Sequence, residues 1–408
     1  MRNRIVRRAL GVLLLTGAVA PAAGAQTLAA APPMAVQTPR ESLVEDARLY
    51  AARHKVTEAE ALARLRAQSE TVPVTDAIRS TYRDRLAGIA LEHQPQLRIV
   101  VLLTGGEPVA DRTVSAGGLD VPVHFRTGAA ATGDAVVAAI ELHQAEIRAS
   151  LKAAPGLGLD PRTGELVVVV HALDLLREGE AALDTRLEAL TGVPVRIRPQ
   201  GREHRDAVSG GARLEGPQLA GGERAVCTTG FVVTDGARTG IATAAHCPDS
   251  LRYRDTQQKQ DVELSFVGQW GWRFRDVQIH QSGRAEAPLF HADPDRQAAR
   301  RLVTWRNRTS TRAGDTVCHR GETSGYSCSE VELVDYAPPG DLCGGPCAPV
   351  WVTVAGPSCK GGDSGGPVFL GSVAFGMLKG ASYARSGACD FYYYMSTDYL
   401  PEGWSLLH

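Results

Sequence analysis

Apolar residues in the first half of the chain recur with helical spacing in some stretches and form short unbroken runs in others. At 57–60 a capping-box pattern stands before apolar residues that fall on one face of a helix. Periodicity and run length together predict helices starting near 57, over 134 to about 152 and over 178–190, and strands over 96–104, 165–173 and 193–197. We therefore expect an α+β domain over residues 41–200.

The second half of the chain changes to short β-rich runs that are separated by glycine, proline and polar residues. The runs lie at 231–233, 262–267, 276–280, 302–305, 331–334, 350–354, 368–370, 373–378 and 391–395. This cadence is typical of an all-β sandwich or barrel, which we expect over residues 223–408. Between the two halves, residues 201–222 are rich in glycine and charge, and they favour an exposed linker open to proteolysis.

The N-terminus has the three parts of a secretory signal peptide. Arginines at positions 2, 4, 7 and 8 precede a short apolar run over 9–20, and Ala23-Gly24-Ala25 supplies an A-x-A cleavage site. A membrane anchor is the alternative, but the run is well short of the ~20 residues that cross a bilayer. We expect a signal peptide over 1–25, a flexible leader over 26–40, and a secreted, extracellular protein.

Composition changes this picture mainly through cysteine. The chain has 408 residues and a formal net charge of −1, which gives no electrostatic case for binding nucleic acid or an anionic membrane. All eight cysteines lie between Cys227 and Cys389. In an oxidising compartment, an even set of this kind is expected to form disulfides. A zinc site is the alternative, which export and the lack of a companion histidine pattern disfavour. We expect no metal and no cofactor.

A candidate nucleophile lies in the glycine-rich stretch CKGGDSGGP. Glycines around Ser364 permit a tight turn that brings backbone N–H groups close to a ligand, and a serine held in this way needs a base within reach. Among eleven histidines, His246 stands out because it follows a β-like run among small residues, and imidazole exchanges protons near neutral pH. Asp276, at the start of a strand, is the expected orienting acid. Its rivals are Asp255 and Asp261.

Two motifs carry a resemblance to a known family. TAAHC at 243–247 and GDSGGP at 362–367 are similar to the pair that marks the chymotrypsin-like serine proteases. CHRGETSGYSC at 318–328 resembles a disulfide hairpin of the bacterial secreted branch, the streptogrisins and α-lytic protease. LGLDPRTGEL at 157–166 resembles part of the pro-regions of that branch. The resemblance implies an all-β double β-barrel protease domain preceded by an α+β pro-domain.

Carried over residue by residue, the resemblance implies a Ser-His-Asp triad. Ser364 would attack a peptide carbonyl, His246 would take and return the proton, and Asp276 would fix the imidazole tautomer. The N–H groups of Gly362 and Ser364 would bind the oxyanion. The resemblance also implies a disulfide framework that pairs Cys227 with Cys247, Cys318 with Cys328, Cys359 with Cys389 and, as the remaining pair, Cys343 with Cys347.

The substrate pocket implied by the resemblance is formed by Ser358, Leu378, Lys379, Gly380 and Ala381. No aspartate stands just before Cys359, and Leu378 replaces the histidine of glutamate-specific relatives, so we expect an apolar or medium-sized pocket. Lys379 occupies the place of a serine that hydrogen-bonds the triad aspartate in relatives. Either the alignment is shifted by one residue or the site is tuned differently, and we expect this lysine at the pocket mouth.

The sequence therefore predicts a serine endopeptidase made as a self-processing precursor. Its partners would be protein or peptide substrates and its own pro-domain, which would act as folding catalyst and inhibitor until cleavage within 200–222. The mature enzyme would be a monomer. One alternative is a catalytically impaired protease homologue that acts as a binding module. An α/β-hydrolase esterase fits G-x-S-x-G formally but needs another order of catalytic residues, and a cell-surface structural protein leaves both motifs unexplained.

Overall fold

The computed structural model describes residues 35–199, 212–218, 224–255, 260–293, 298–339, 343, 345–356, 358–384 and 386–408. The predicted signal peptide, the leader up to residue 34 and most of the predicted linker lie outside these residues. The described residues all belong to one compact unit, Met34–His408.

The α-helices of the described residues all lie before residue 200. They are α1 (Pro39–His54), α2 (Glu58–Glu70), α3 (Val72–Thr81), α4 (Gly133–Ser150), α5 (Ala172–Glu178) and α6 (Glu180–Thr191). The Thr57 hydroxyl caps α2 by accepting the Glu60 N–H at 3.2 Å, as its capping pattern predicts. The single helix expected over 178–190 is wrong at its start, because Gly179 adopts a φ of 85° and separates α5 from α6.

The strands before residue 200 form parts of three sheets. They are β1 (Ala35–Gln37), β2 (Leu86–Glu92), β3 (Arg98–Thr104), β4 (Arg112–Ala116), β5 (Leu119–Ala129), β6 (Gly156–Asp160), β7 (Glu165–Val170) and β8 (Val195–Pro199). One sheet has the order β2-β3-β5-β4, and β6, β7 and β8 are neighbours in another. The apolar face of α4 packs on the second of these sheets, where Ile140 and Val168 are fully buried. This helix–strand alternation agrees with the expected α+β region.

Beyond residue 212 the regular secondary structure of the described chain is almost entirely β-strand. The strands are β9 (Arg213–Gln218), β10 (Arg224–Thr228), β11 (Val232–Thr234), β12 (Thr239–Thr243), β13 (Leu251–Asp255), β14 (Gln260–Trp272), β15 (Arg275–Gln281), β16 (Leu289–His291), β17 (Ala298–Arg301), β18 (Thr304–Trp305), β19 (Thr316–Gly321), β20 (Gly325–Glu330), β21 (Val334–Ala337), β22 (Val352–Ala355), β23 (Pro367–Leu370), β24 (Val373–Tyr383), β25 (Cys389–Ser396) and β26 (Ser405–Leu406). Two short 3₁₀ helices cover Arg308–Ser310 and Thr397–Tyr399.

Two large sheets in this β-rich region position the candidate chemistry. The first has the order β10-β9-β13-β14-β15-β12-β11-β26, and it carries Asp276 on β15 and His246 just after β12. The second runs β20-β19-β23-β24-β25-β22, with β18 paired to β24, and Ser364 stands just before β23. The candidate base and acid therefore come from one sheet and the candidate nucleophile from the other.

The predicted linker is too long at its C-terminal end. β9 lies within 201–222, yet it pairs with β10 on one side and with β13 on the other. Leu214 is fully buried there, and the buried Glu215 carboxylate is neutralised by Arg213 at 2.8 Å and Arg254 at 3.4 Å. Because β9 contains charged residues, its composition resembles that of an exposed linker even though Glu215 is buried. The linker prediction was wrong for this reason.

The α+β region is joined to the β-rich region by a shared sheet and by buried charges. β21 pairs with β6, so the sheet order is β21-β6-β7-β8. Asp46 on α1 accepts a hydrogen bond from Arg300 on β17 at 2.7 Å, and both side chains are completely buried. Arg312 donates to the Gln68 carbonyl of α2 at 2.6 Å. Separating the two regions would break the buried ion pair of Asp46 with Arg300, whereas Arg312 would keep its ion pair with Asp315 at 2.9 Å.

We expect Asp46→Asn to destabilise the full-length chain by about 3–5 kcal/mol, because it leaves the Arg300 guanidinium buried without its counter-ion. Urea unfolding in a Ser364→Ala background, which keeps the chain intact if it cleaves itself, measures this change. Glu45→Gln is the matched control, since Glu45 approaches Arg300 only at 4.0 Å and is partly exposed. Equal stabilities for the two variants would contradict the importance of the buried pair.

Candidate active site

The turn that carries Ser364 is fixed by backbone contacts to β24. The Gly365 N–H donates to the Leu378 carbonyl at 2.7 Å, and the Leu378 N–H donates to the Gly366 carbonyl at 2.8 Å. Gly365 has a φ of 85°, and a Cβ there would lie 2.2 Å from Thr243 Oγ1 on the other sheet. Only glycine fits at this point, where the serine turn and the strand before His246 meet.

The buried side chain of Asp363 stabilises the turn that carries Ser364. Its side chain is completely buried, and Oδ1 accepts the N–H groups of Thr323 and Ser324 at 3.1 and 3.0 Å. Backbone donors of this kind satisfy a buried carboxylate. The residue before the candidate nucleophile therefore anchors it to the β19–β20 hairpin.

His246 lies at the start of the loop that the Cys227–Cys247 disulfide ties back to β10. Its Nδ1 lies 2.8 Å from Asp276 Oδ2, and its backbone N–H donates to Asp276 Oδ1 at 3.1 Å. The Asp276 side chain is 3% exposed, whereas the imidazole is 41% exposed. With Nδ1 protonated toward the carboxylate, Nε2 is the nitrogen left to act as a base.

The rival acids lie elsewhere. Asp261 contacts Arg252 at 3.0 Å and Arg254 at 3.5 Å on the exposed β13–β14 hairpin. Asp255 ends β13, where it pairs with Gln260. Asp276 is the acid that the structure brings to His246. Burial opposes ionisation of its carboxyl group, but the charges of His246 and Lys379 outweigh burial and lower the pKa of Asp276.

The Ser364 hydroxyl has not engaged the imidazole. Oγ donates to the Lys379 carbonyl at 3.5 Å, and within the described residues no hydrogen bond joins it to His246. The N–H groups of Gly362 and Ser364 also form no hydrogen bond with the described part of the chain. Two unpaired N–H groups beside a serine leave donors available for an oxyanion.

The expectation for the Lys379 side chain is wrong. It does not lie at a pocket mouth: its Nζ is buried 3.1 Å from Asp276 Oδ2 and 4.8 Å from the centre of the Trp351 ring. The alignment therefore needs no shift, since Lys379 occupies the place beside the acid where relatives carry serine. The sequence offered no signal for this contact beyond that replacement.

The other predicted pocket residues lie along β24 and the loop before it. Leu378 is buried, and Tyr393 lies so close to Gly380 that a Cβ there would be 2.6 Å from its hydroxyl. The Ser358 hydroxyl donates to the Ser324 carbonyl at 3.3 Å, and Ala381 is half-buried on β24. A cavity of about 380 Å³ lies elsewhere, beside β11 and β16, and none of the predicted pocket residues lines it.

A histidine that sequence reasoning missed lies behind the pocket residues. His319 is buried on β19, with Nε2 at 3.1 Å from the Ser324 hydroxyl. Burial lowers its pKa to about 4, with the Asp363 charge opposing the shift. His319 is therefore neutral near pH 7 and supplies no positive charge to the pocket.

Four disulfides use all eight cysteines, which the structure describes. They join Cys227 to Cys247, Cys318 to Cys328, Cys343 to Cys347 and Cys359 to Cys389. These are the four pairs implied by the resemblance. Two of them border the site, one at the His246 loop and one at the Ser364 loop.

Comparison with known proteins supplies one curated relative. Streptogrisin-C from Streptomyces griseus is 29% identical over 161 residues, which are 38% of this chain and 32% of the relative. This chain resembles the bacterial chymotrypsin-like serine proteases. The match confirms the resemblance predicted from the two motifs, and the structure has the expected order of an α+β region followed by a β-rich region. The match spans about a third of the length of streptogrisin-C. No known family profile matches the chain.

Two solved structures are each similar to about half of this chain. Thermobifida fusca protease A is 22% identical, with a TM-score of 0.38, and the match covers 49% of this chain and 98% of that protein. Nocardiopsis protease is 17% identical, with a TM-score of 0.38 and coverage of 50% and 100%.

No helix in the described residues is both long and apolar enough to cross a membrane.

Lowering the pH should reduce the contribution of the Asp276 carboxylate to the free energy of unfolding. Folding depresses the pKa of this carboxyl below its unfolded value of about 3.9, so its contribution is complete above that value and is lost as the pH falls toward the folded value. We expect Asp276→Asn to cost about 3–5 kcal/mol near neutral pH, because Lys379 stays buried without a counter-ion, and less below about pH 4.

Urea unfolding of the Ser364→Ala chain at several pH values measures this difference. Asp261→Asn is the matched control, and it should cost under about 1 kcal/mol because its ion pairs are exposed. A cost for Asp276→Asn that stays constant down to the acid range would show that the carboxylate is not the stabilising group.

Proposed function

We propose that this chain is a secreted serine endopeptidase, made as a self-processing precursor, that hydrolyses peptide bonds through Ser364, His246 and Asp276. The observation that carries the proposal is the double contact of the buried Asp276 carboxylate with His246, at 2.8 Å to Nδ1 and 3.1 Å to the backbone N–H. That contact fixes both the tautomer and the orientation of the histidine that serves as the base in the proposed mechanism.

In the proposed reaction, His246 Nε2 takes the proton of Ser364 as Oγ attacks the peptide carbonyl. The imidazolium then gives this proton to the leaving amine, and the acyl-enzyme forms. Water, deprotonated by the same nitrogen, attacks the ester and restores Ser364. Asp276 stabilises the imidazolium throughout without accepting the proton.

The N–H groups of Gly362 and Ser364 are the proposed oxyanion donors. Each such donor contributes about 2.7–4 kcal/mol to transition-state stabilisation in measured cases. Their freedom from other hydrogen bonds within the described residues supports this role. The buried Asp363 carboxylate accepts two backbone hydrogen bonds and so fixes this turn in the absence of substrate.

The α+β region is the proposed pro-domain. The strand pairing of β6 with β21 and the buried pair of Asp46 with Arg300 support a role as folding template for the protease and as its inhibitor. A β-rich, non-local topology folds slowly, which is the physical reason for such a template. Cleavage is proposed within 200–222, outside the paired strand β9.

Export and substrate class complete the proposal. The signal-peptide pattern over 1–25 and the four disulfides support a secreted protein. We propose that it acts as a monomer on proteins or peptides. The neutral His319 and the absence of a pocket aspartate before Cys359 favour an apolar or medium-sized substrate side chain.

A catalytically impaired homologue that acts as a binding module is the second candidate. Two observations favour it: within the described residues Ser364 forms no hydrogen bond with His246, and a lysine occupies the place of the serine beside the acid. Catalytic hydrogen bonds in unliganded enzymes are often long and tighten when substrate binds, so we place this candidate second.

Self-processing is the first test. We expect the wild-type precursor to shorten to the protease fragment on expression, whereas Ser364→Ala stays full-length, because the alanine cannot form the acyl-enzyme. Mass spectrometry of the purified protein reads the outcome. Ser386→Ala, in an exposed loop, is the control and should mature like wild type.

A wild-type chain that stays full-length would overturn self-processing but not peptidase activity. Labelling with an organophosphonate then decides, since it modifies only an activated serine. Failure to label would favour the binding module.

Replacing the acid should slow the chemistry without removing the site. We expect Asp276→Asn to lower kcat by about 10⁴-fold, because the amide stabilises the wrong imidazole tautomer. Peptide hydrolysis by the matured enzyme measures the change, with Asp261→Asn as the control that keeps wild-type activity. An Asp276→Asn variant with full activity would refute the assigned acid.

A further inference from the structure

The Asp276 carboxylate is shared between an imidazole and an ammonium group. Oδ1 accepts only the His246 backbone N–H within the described residues, while Oδ2 lies 2.8 Å from His246 Nδ1 and 3.1 Å from Lys379 Nζ. The side chains of Lys379 and Asp276 are 4% and 3% exposed. A unit positive charge is thus buried against the same carboxylate oxygen that the candidate base contacts.

A bulge in β24 aims this lysine at the acid. The pairing of β24 with β25 shifts register between Leu378 and Gly380, so Lys379 is the extra residue of the strand. Bulges redirect a side chain from its expected face. The same residue accepts a hydrogen bond from Ser364 Oγ through its carbonyl at 3.5 Å. Lys379 therefore touches the candidate nucleophile with its backbone and the candidate acid with its side chain.

Within the described residues, two ionisable side chains contact the Asp276 carboxylate, and both lie against Oδ2. The loop after β12 contributes His246, and β24 contributes Lys379. The other elements packed against Asp276 contribute uncharged groups: the Met395 sulfur of β25 accepts the Asp276 N–H, and β14 pairs through Gly271. Trp351, completely buried, lies against the ammonium. The balance of charge at Asp276 is therefore set by the histidine and the lysine.

A buried ammonium has two effects that a neutral donor lacks. It stabilises the ionised form of Asp276, whose pKa is lowered by His246 and Lys379 against the effect of burial. It also repels a second positive charge, so that protonating His246 becomes less favourable than it would be beside an acid without a cation. The first effect acts on the candidate acid, and the second acts on the candidate base.

We propose that Lys379 is a positioning residue whose buried ammonium fixes Asp276 Oδ2 against His246 and keeps the imidazole unprotonated at lower pH, so that peptide hydrolysis extends into the acid range. This inference rests on the proposed function. It assigns to the lysine a positive contribution to activity, in contrast to the expectation that this replacement impairs the site.

Two substitutions separate charge from hydrogen bonding. Lys379→Gln keeps a donor beside Asp276 and removes the charge, and Lys379→Met removes both. We expect the acid limb of the pH profile of kcat/KM to move upward by about one pH unit in both variants, the size of a typical shift from one nearby charge. Lys379→Arg keeps the charge and should restore the wild-type limb. Lys360→Gln, which removes an exposed lysine charge, is the control.

A second measurement does not depend on activity. In the full-length Ser364→Ala chain with ¹³C-labelled histidine, the titration of His246 can be followed by NMR and assigned with a His246→Gln variant. We expect Lys379→Gln to move the midpoint of this titration upward by about one pH unit. If the wild-type enzyme cleaves no peptide, the proposed function fails, and this titration still decides the effect of the lysine.

Two results would overturn the inference. One is an acid limb and a His246 titration that stay in place while urea unfolding shows a loss of stability, which would make Lys379 a purely structural residue. The other is a rise of kcat/KM at every pH in Lys379→Gln, which would make the lysine an inhibitor of the triad. If Lys379→Met fails to fold, Lys379→Gln and Lys379→Arg decide between these outcomes.

Discussion

A buried carboxylate without a partner is among the most costly groups in a protein, and the site depends on how Asp276 avoids this state. Its partners come from both large sheets: His246 from the sheet that also carries the acid, and Lys379 from the sheet that carries Ser364. The same carboxylate therefore orients the candidate base and links the two sheets through its ion pair with Lys379. A change that removes its charge acts on the chemistry and on the packing together.

Buried charge also explains why the α+β region and the β-rich region form one unit. The Asp46 side chain on α1 contacts Arg300 of the β-rich region, and neither side chain is exposed to solvent. Cutting the chain between the regions would leave this contact intact, because the covalent link contributes nothing to it. Under the proposed function, a cleaved pro-domain would stay bound until it unfolds or is degraded, which fits a role as inhibitor.

The sequence predicted the parts of the site whose requirements are local. Gly365 directly follows Ser364, and the small residues before His246 directly follow β12. Both motifs can therefore be found in short stretches of sequence. The contact of Lys379 with Asp276 is different, since it needs a bulge in one strand and a neighbouring sheet. β9 was mistaken for linker because its buried Glu215 is neutralised by arginines from two strands, a pairing that composition alone does not reveal.

The lysine does not displace the histidine from the acid. A carboxylate offers about four lone-pair sites, and Asp276 uses Oδ1 for one donor and Oδ2 for two, so both contacts to His246 persist beside the ammonium. Within the described residues the Ser364 hydroxyl makes a single hydrogen bond, to the Lys379 carbonyl, and its length of 3.5 Å is at the limit for such a bond. The contacts between Asp276 and His246 are therefore retained, and under the proposed function what the lysine alters is the electrostatic balance between the acid and the base.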